Sequence, residues 1–220
     1  MRVLTEDMRA VIDAIVGKYP NSRSAALPLL FLVQSVEGYV SEDGMKDVAD
    51  VLGLTSAQVL GTVSFYTMLK KRPQGEYLVS VCRNISCTHL GSRGVLGALE
   101  GRLGVTAGGT TDDGKFSLEA AECLATCDGA PSLQINYEDF YRVSPEEAVA
   151  LVDKLDAGGG VHSVRGEPVK TAKEIAREIA TAGMRIPEAG VEDARTIGGE
   201  SPRADTAPGF RPKVEGDSDA

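Results

Sequence analysis

The chain of 220 residues has no tryptophan, only five phenylalanines and six tyrosines, and fewer basic than acidic side chains, 23 against 32. A net charge of −9 with so few rings to stack on bases repels phosphate backbones, so nucleic acid is excluded as a partner. Long apolar runs are missing too. The longest, residues 25–33, is broken by Pro28 and falls well short of the ~20 residues that a membrane helix needs. Glu6 and Asp7 interrupt the amino terminus before an apolar stretch can form, which argues against a secretory signal or transit segment and for a soluble protein in a reducing compartment. Histidine is confined to His89 and His162, leaving no local histidine pair for a metal. No G-x-G-x-x-G or P-loop occurs. Gly91, Gly94 and Gly97 follow G-x-x-G-x-x-G, a spacing that suits close helix–sheet packing and not a dinucleotide. No nucleophile, general acid or general base stands out either.

What the chain does have is four cysteines in two tight pairs, Cys82 and Cys87 (C-x4-C) and Cys123 and Cys127 (C-x3-C). In a reducing compartment such a set points to metal ligation before disulfides. Each pair can chelate one metal atom from a single loop, and the long spacer can hold a helix and a strand that bring the loops together. A [2Fe-2S] centre takes four thiolates, two per iron. Tetrahedral zinc accepts the same ligands, although zinc modules favour two intervening residues in at least one pair. A thioredoxin-type dithiol would need C-x-x-C, which neither pair supplies. His89, two positions after Cys87, has no second histidine nearby to make a Rieske-type centre and is expected to start a helix.

Periodicity predicts an α/β chain in three parts: a helical bundle over residues 1–72, an α/β domain over 73–156 and a largely irregular extension over 157–220. Met8, Val11, Ile12, Ile15 and Tyr19 repeat at helical spacing, residues 25–36 form a second apolar helix, and Ser41 and Thr55 can cap two more. Phe65-Tyr66 is expected in the core, where aromatics dominate. After the polar break at residues 70–75, residues 77–81 read as a strand that delivers Cys82 at its end. A helix follows around Val95, Leu96, Leu99 and Leu103, then strands at 116–121, 132–136 and 139–143. Ser144, Pro145 and Glu147 combine an N-cap, a first-turn proline and a capping-box glutamate for a last helix. Beyond the triple glycine at 158–160, only a helix from Thr171 is credible; the remainder is expected to order only against a partner.

The segment Glu122-Cys123-Leu124-Ala125-Thr126-Cys127-Asp128-Gly129-Ala130-Pro131 resembles the E-C-L-x-x-C-x-x-A-P signature of the thioredoxin-like [2Fe-2S] subunit of NADH:quinone oxidoreductase, respiratory complex I. Gln34, Gly38-Tyr39-Val40-Ser41 and Val63-Ser64-Phe65-Tyr66 fall where that family has similar segments. The resemblance covers about residues 1–156. It implies a thioredoxin-like domain whose Cys82, Cys87, Cys123 and Cys127 hold one [2Fe-2S] cluster. It also implies an electron-transfer role beside a separate flavin- and NADH-binding subunit, with FMN and NAD(H) on that partner only, and further contacts to other peripheral-arm subunits on the cytoplasmic side of the membrane. On that reading the chain carries no complete active site of its own. The equivalent subunit of an NAD-linked hydrogenase or formate dehydrogenase is an alternative, and a structural zinc-binding interaction module is a rival of another class. Thirteen acidic against six basic residues over 76–156 favour a hard-to-reduce cluster, near the plant-type value of about −400 mV, opposed by backbone N–H groups and Arg83.

Overall fold

A computed structural model describes residues 2–184, and two apolar cores account for its architecture. The first is helical: α1 (Arg9–Gly17), α2 (Ala26–Glu37), α3 (Glu42–Leu52) and α4 (Ser56–Phe65). Helix α2 is apolar nearly all round, so it can only be stable at the centre. Its Leu29, Leu30, Leu32 and Val33 are fully enclosed. Ser41 caps α3 by accepting from the Gly44 N–H, and Thr55 and Gln58 form a reciprocal capping box on α4. Gly44 is required by packing, because a Cβ there would lie 2.4 Å from Val33 Cγ1 of α2. The buried amide of Gln34 fixes the exit from the bundle. It donates to the Met68 carbonyl at 3.1 Å and accepts from the Lys70 N–H at 2.8 Å.

Phe65 and Tyr66 depart from expectation. They make an edge-to-face pair, centroids 5.1 Å apart, but are 78% and 42% exposed. The reason is helical phase: Val59 and Val63, four apart, face the core, and Phe65, about 200° round from Val63, must point outward.

The second core lies on a four-stranded sheet of order β2-β1-β3-β4, built from β1 (Tyr77–Cys82), β2 (Phe116–Ala121), β3 (Leu133–Ile135) and β4 (Glu138–Phe140). β1 and β2 are parallel; β1–β3 and β3–β4 are antiparallel. The parallel pair needs a crossover, supplied by the short α5 (Ile85–His89) and by α6 (Ser92–Leu103). His89 therefore ends a helix, and does not start one. Asn136 and Tyr137 connect β3 to β4 with φ of 48° and 71°, the doubly left-handed turn that matches strand twist. Helix α7 (Pro145–Asp156) carries the expected capping box between Ser144 and Glu147 and packs on α6.

Residues 158–170 depart from expectation by packing within the chain, whereas the helix from Thr171 forms with the expected capping box. Val161 is buried in the second core, and α8 (Ala172–Thr181) lies along α2 with Ala176 and Ala180 enclosed. Its start is fixed to the sheet domain: the Ala172 N–H donates to the Glu76 carbonyl, and Asn136 Nδ2 donates to the carbonyls of Glu76 and Lys170. Lys173 Nζ donates to the Val36 carbonyl at the end of α2. This helix orders within the chain because its apolar face finds α2. The remaining tail, 185–220, lies outside the described residues.

Replacing Ala176 by leucine should overpack the α2–α8 contact at a cost of about 1–3 kcal/mol. A lowered urea midpoint is the expected outcome; an unchanged midpoint would show that α8 does not pack on α2 in solution.

Candidate metal centre

Strand register brings the cysteine loops together. Cys82 ends β1 opposite Ala121 at the end of β2, and Cys123 follows two residues later. Both loops thus leave the carboxyl ends of adjacent parallel strands, where α/β sheets place their sites. The Arg83 N–H donates to the Ala121 carbonyl at 2.9 Å and extends the pairing one step further. Cys82 and Cys87 are buried and, with Ala130 and the partly buried Leu124, form a small apolar cluster of their own. Cys87 is carried on α5, whose first turn is capped by Asn84. Cys123 and Cys127 are exposed.

None of the four cysteines is joined in a disulfide. Cys123 and Cys127 approach to 3.8 Å between sulfurs. Metal–thiolate bonds of about 2.3 Å at tetrahedral angles put two ligand sulfurs about 3.8 Å apart, so this pair already stands at chelating distance. Ala125, with φ of 61°, turns its N–H onto Cys123 Sγ at 3.4 Å. The Cys127 thiol is pushed up, first by its hydrogen bond to Cys123, then by the Cys123 charge and by burial, and further by Cys87 and Cys82. Four such groups can all be thiolates only where cationic metal compensates them.

Among the described residues, no group of three or more His, Cys, Asp and Glu side chains closes around a single ion. A lone tetrahedral zinc would need all four sulfurs within one bond length of a point, whereas a dinuclear cluster needs two pairs set apart. His89 is exposed at the end of α5 and adds nothing to the cysteine set. Arg83 is engaged by Glu122 in a solvated ion pair, so the side chain expected to offset charge at the sulfurs has a carboxylate of its own.

Two supporting features were invisible in the sequence. Ala125 adopts a left-handed conformation that alanine gives no reason to expect. Gly129, in the 3-10 turn Cys127–Gly129, lies so close to Tyr141 that a Cβ would meet its Cγ at 2.3 Å and its Cβ at 2.7 Å. Gly129→Ala should therefore push the turn that carries Cys127 away from β4. Bound iron is expected to fall well below one half of the unmodified level, and full iron retention would refute this close packing.

Residues 12–156 match the family described as "Thioredoxin-like [2Fe-2S] ferredoxin". The E subunit of NADH-quinone oxidoreductase from Mycobacterium tuberculosis (strain ATCC 25618 / H37Rv) is 42% identical over 184 residues, covering 83% of this chain and 73% of that protein. The E 2 subunit of the same oxidoreductase from Rhizobium meliloti (strain 1021) is 34% identical over 157 residues, 71% of this chain and 94% of that one. A crystal structure of NAD+-reducing [NiFe]-hydrogenase in the air-oxidized state aligns with a TM-score of 0.53 at 20% identity, covering 59% of this chain and 23% of that chain, and shows a shared fold. Sheet order, paired cysteines and these relatives agree: the chain belongs to the thioredoxin-like [2Fe-2S] ferredoxin family, as an E-type subunit of NADH-quinone oxidoreductase.

Proposed function

We propose that Cys82, Cys87, Cys123 and Cys127 hold one [2Fe-2S] cluster, with each sequence-adjacent pair on one iron. The observation that carries this reading is the 3.8 Å separation of the Cys123 and Cys127 sulfurs at the end of β2, beside the buried pair at the end of β1. When bound, such a cluster accepts and releases single electrons. The chain's own residues hold and insulate it. Cys82 and Cys87 sit in the apolar cluster with Ala130, while the Cys123 loop faces solvent or a neighbouring surface. That asymmetry suits a centre that exchanges electrons across one face.

No dinucleotide or flavin fingerprint occurs in the sequence, so hydride chemistry belongs to another subunit that carries FMN and binds NADH. The chain acts beside it as a peripheral subunit on the cytoplasmic side of the membrane. Among the described residues no single helix is long and apolar enough to cross a bilayer. We divide the chain into a helical bundle (1–72), the cluster domain (73–156) and an extension from 157.

Anaerobically purified protein should contain about two irons and two acid-labile sulfides per chain, with the visible charge-transfer bands of a [2Fe-2S] centre. Serine in place of any one of the four cysteines should remove most of both. Stoichiometric zinc without sulfide would overturn the assignment in favour of a structural metal module. Co-purification with a flavin-containing subunit, lost when the Cys123 loop is altered, would support the partner; a flavin bound to this chain alone would contradict it.

A further inference from the structure

Behind the cysteine loops lie two hydroxyls that folding alone does not require. Ser132 is 3% exposed and Thr126 8%. The Ser132 backbone has a structural task, since its carbonyl accepts from the Cys82 N–H at 3.2 Å. Its side chain is placed differently. Thr126 Oγ1 donates to Ser132 Oγ at 2.7 Å, and Cys87 Sγ stands 3.6 Å from the same oxygen. A hydroxyl has one proton and two lone pairs. Because Ser132 Oγ accepts from Thr126, its single proton is directed elsewhere, and the Cys87 sulfur is the acceptor beside it. In a cysteine bound to metal the sulfur is a thiolate and has no proton to give. Thr126 gives to Ser132, and Ser132 gives to Cys87.

We propose that Ser132, oriented by Thr126, is a positioning residue that donates a hydrogen bond to the Cys87 sulfur and thereby raises the reduction potential of the cluster. The proposal rests on the assignment of the four cysteines as cluster ligands. Reduction adds one electron to the centre and increases negative charge on its ligand sulfurs. A donor already aimed at one of them bonds more strongly to the reduced than to the oxidised form. The proton stays on Ser132 throughout. The contact is enclosed, so solvent does not screen it as it screens the surface carboxylates.

The test uses the full chain loaded with its cluster, titrated anaerobically with dithionite and followed by electron paramagnetic resonance. Ser132→Ala should keep its iron and sulfide, while the reduced-to-oxidised ratio at a fixed potential falls about tenfold, equivalent to a midpoint about 59 mV lower for one electron. A proton coupling that exchanges in deuterium oxide should disappear from the reduced spectrum. Thr126→Val, which keeps the side chain's shape, should shift the midpoint the same way by less, and Thr126→Ser should restore it. A cluster-bearing Ser132→Ala protein with an unmoved midpoint overturns the proposal. If that variant loses its cluster, equal midpoints for Thr126→Val and Thr126→Ser overturn it instead. Zinc in the unmodified protein would sink the ligand assignment, and this proposal with it; an intact cluster whose potential ignores Ser132 refutes only the hydrogen bond.

Discussion

The parallel pairing of β1 with β2 is the constraint on which the site depends. Neither cysteine loop could define a metal site alone, because Cys82 and Cys123 are separated by a crossover of two helices. The register that sets Cys82 opposite Ala121 makes their loops neighbours. A slip of one residue would turn alternate side chains of β1 to the opposite face. Val79 and Val81, now in the core beneath α6, would leave it, and the end of the strand would present Cys82 the wrong way. The hydrophobic pattern of β1 therefore fixes the geometry of the metal centre. The β3–β4 hairpin contributes from the other side of β1: it brings Ser132, whose carbonyl holds the Cys82 N–H, against the first ligand loop.

The helical bundle and the sheet domain have separate cores, and the segment after α7 ties them. Asn136 sits at the joint with every side-chain hydrogen-bonding group used: its carbonyl accepts from the Leu78 N–H, and its amide donates to Glu76 and Lys170. Buried in the β3–β4 turn, it links the sheet to the strap that leads into α8. That helix then covers α2, whose Leu29, Leu30, Leu32 and Val33 are fully buried. A short amphipathic helix is marginal by itself. Here it is stabilised by a capping box at Thr171 and by apolar contact with a helix that would otherwise show part of its surface to water.

Most of the architecture was legible in the sequence because it rests on local chemistry. Caps at Ser41, Thr55, Ser144 and Thr171 mark helix starts through hydrogen bonds made within four residues, and the end of the apolar run at residues 77–81 places Cys82. Paired cysteine spacing likewise reads as two chelating loops. What was not legible depends on contacts distant in sequence. Phe65 and Tyr66 look like core residues by composition, but the phase of α4 turns Phe65 outward and Tyr66 lies past the helix end in extended backbone. The helix from Thr171 was legible through its cap and apolar spacing, but not its packing along α2, where Ala176 and Ala180 are enclosed. Ser132 and Thr126 are ordinary polar residues until the hairpin folds them against Cys87.

The charge count itself changes meaning once the residues are placed. Thirteen acidic against six basic side chains over 76–156 suggested a cluster that resists reduction, with Arg83 as a compensating cation. In the fold Arg83 is paired with Glu122, and Arg102 is held by Asp153 and Asp156, with Lys115 also on Asp156. These pairs engage three basic and three acidic side chains, so the acidic excess of the segment remains but is carried by other side chains. Exposed carboxylates further than about 8 Å are screened by physiological salt. The Ala125 N–H at 3.4 Å from Cys123 and the Ser132 hydroxyl at 3.6 Å from Cys87 act in contact, one on each ligand pair. Distance favours the contacts. On the proposed ligand assignment, these contacts act on the sulfurs at shorter range than any surface carboxylate, through residues whose identity says little until the strands are paired.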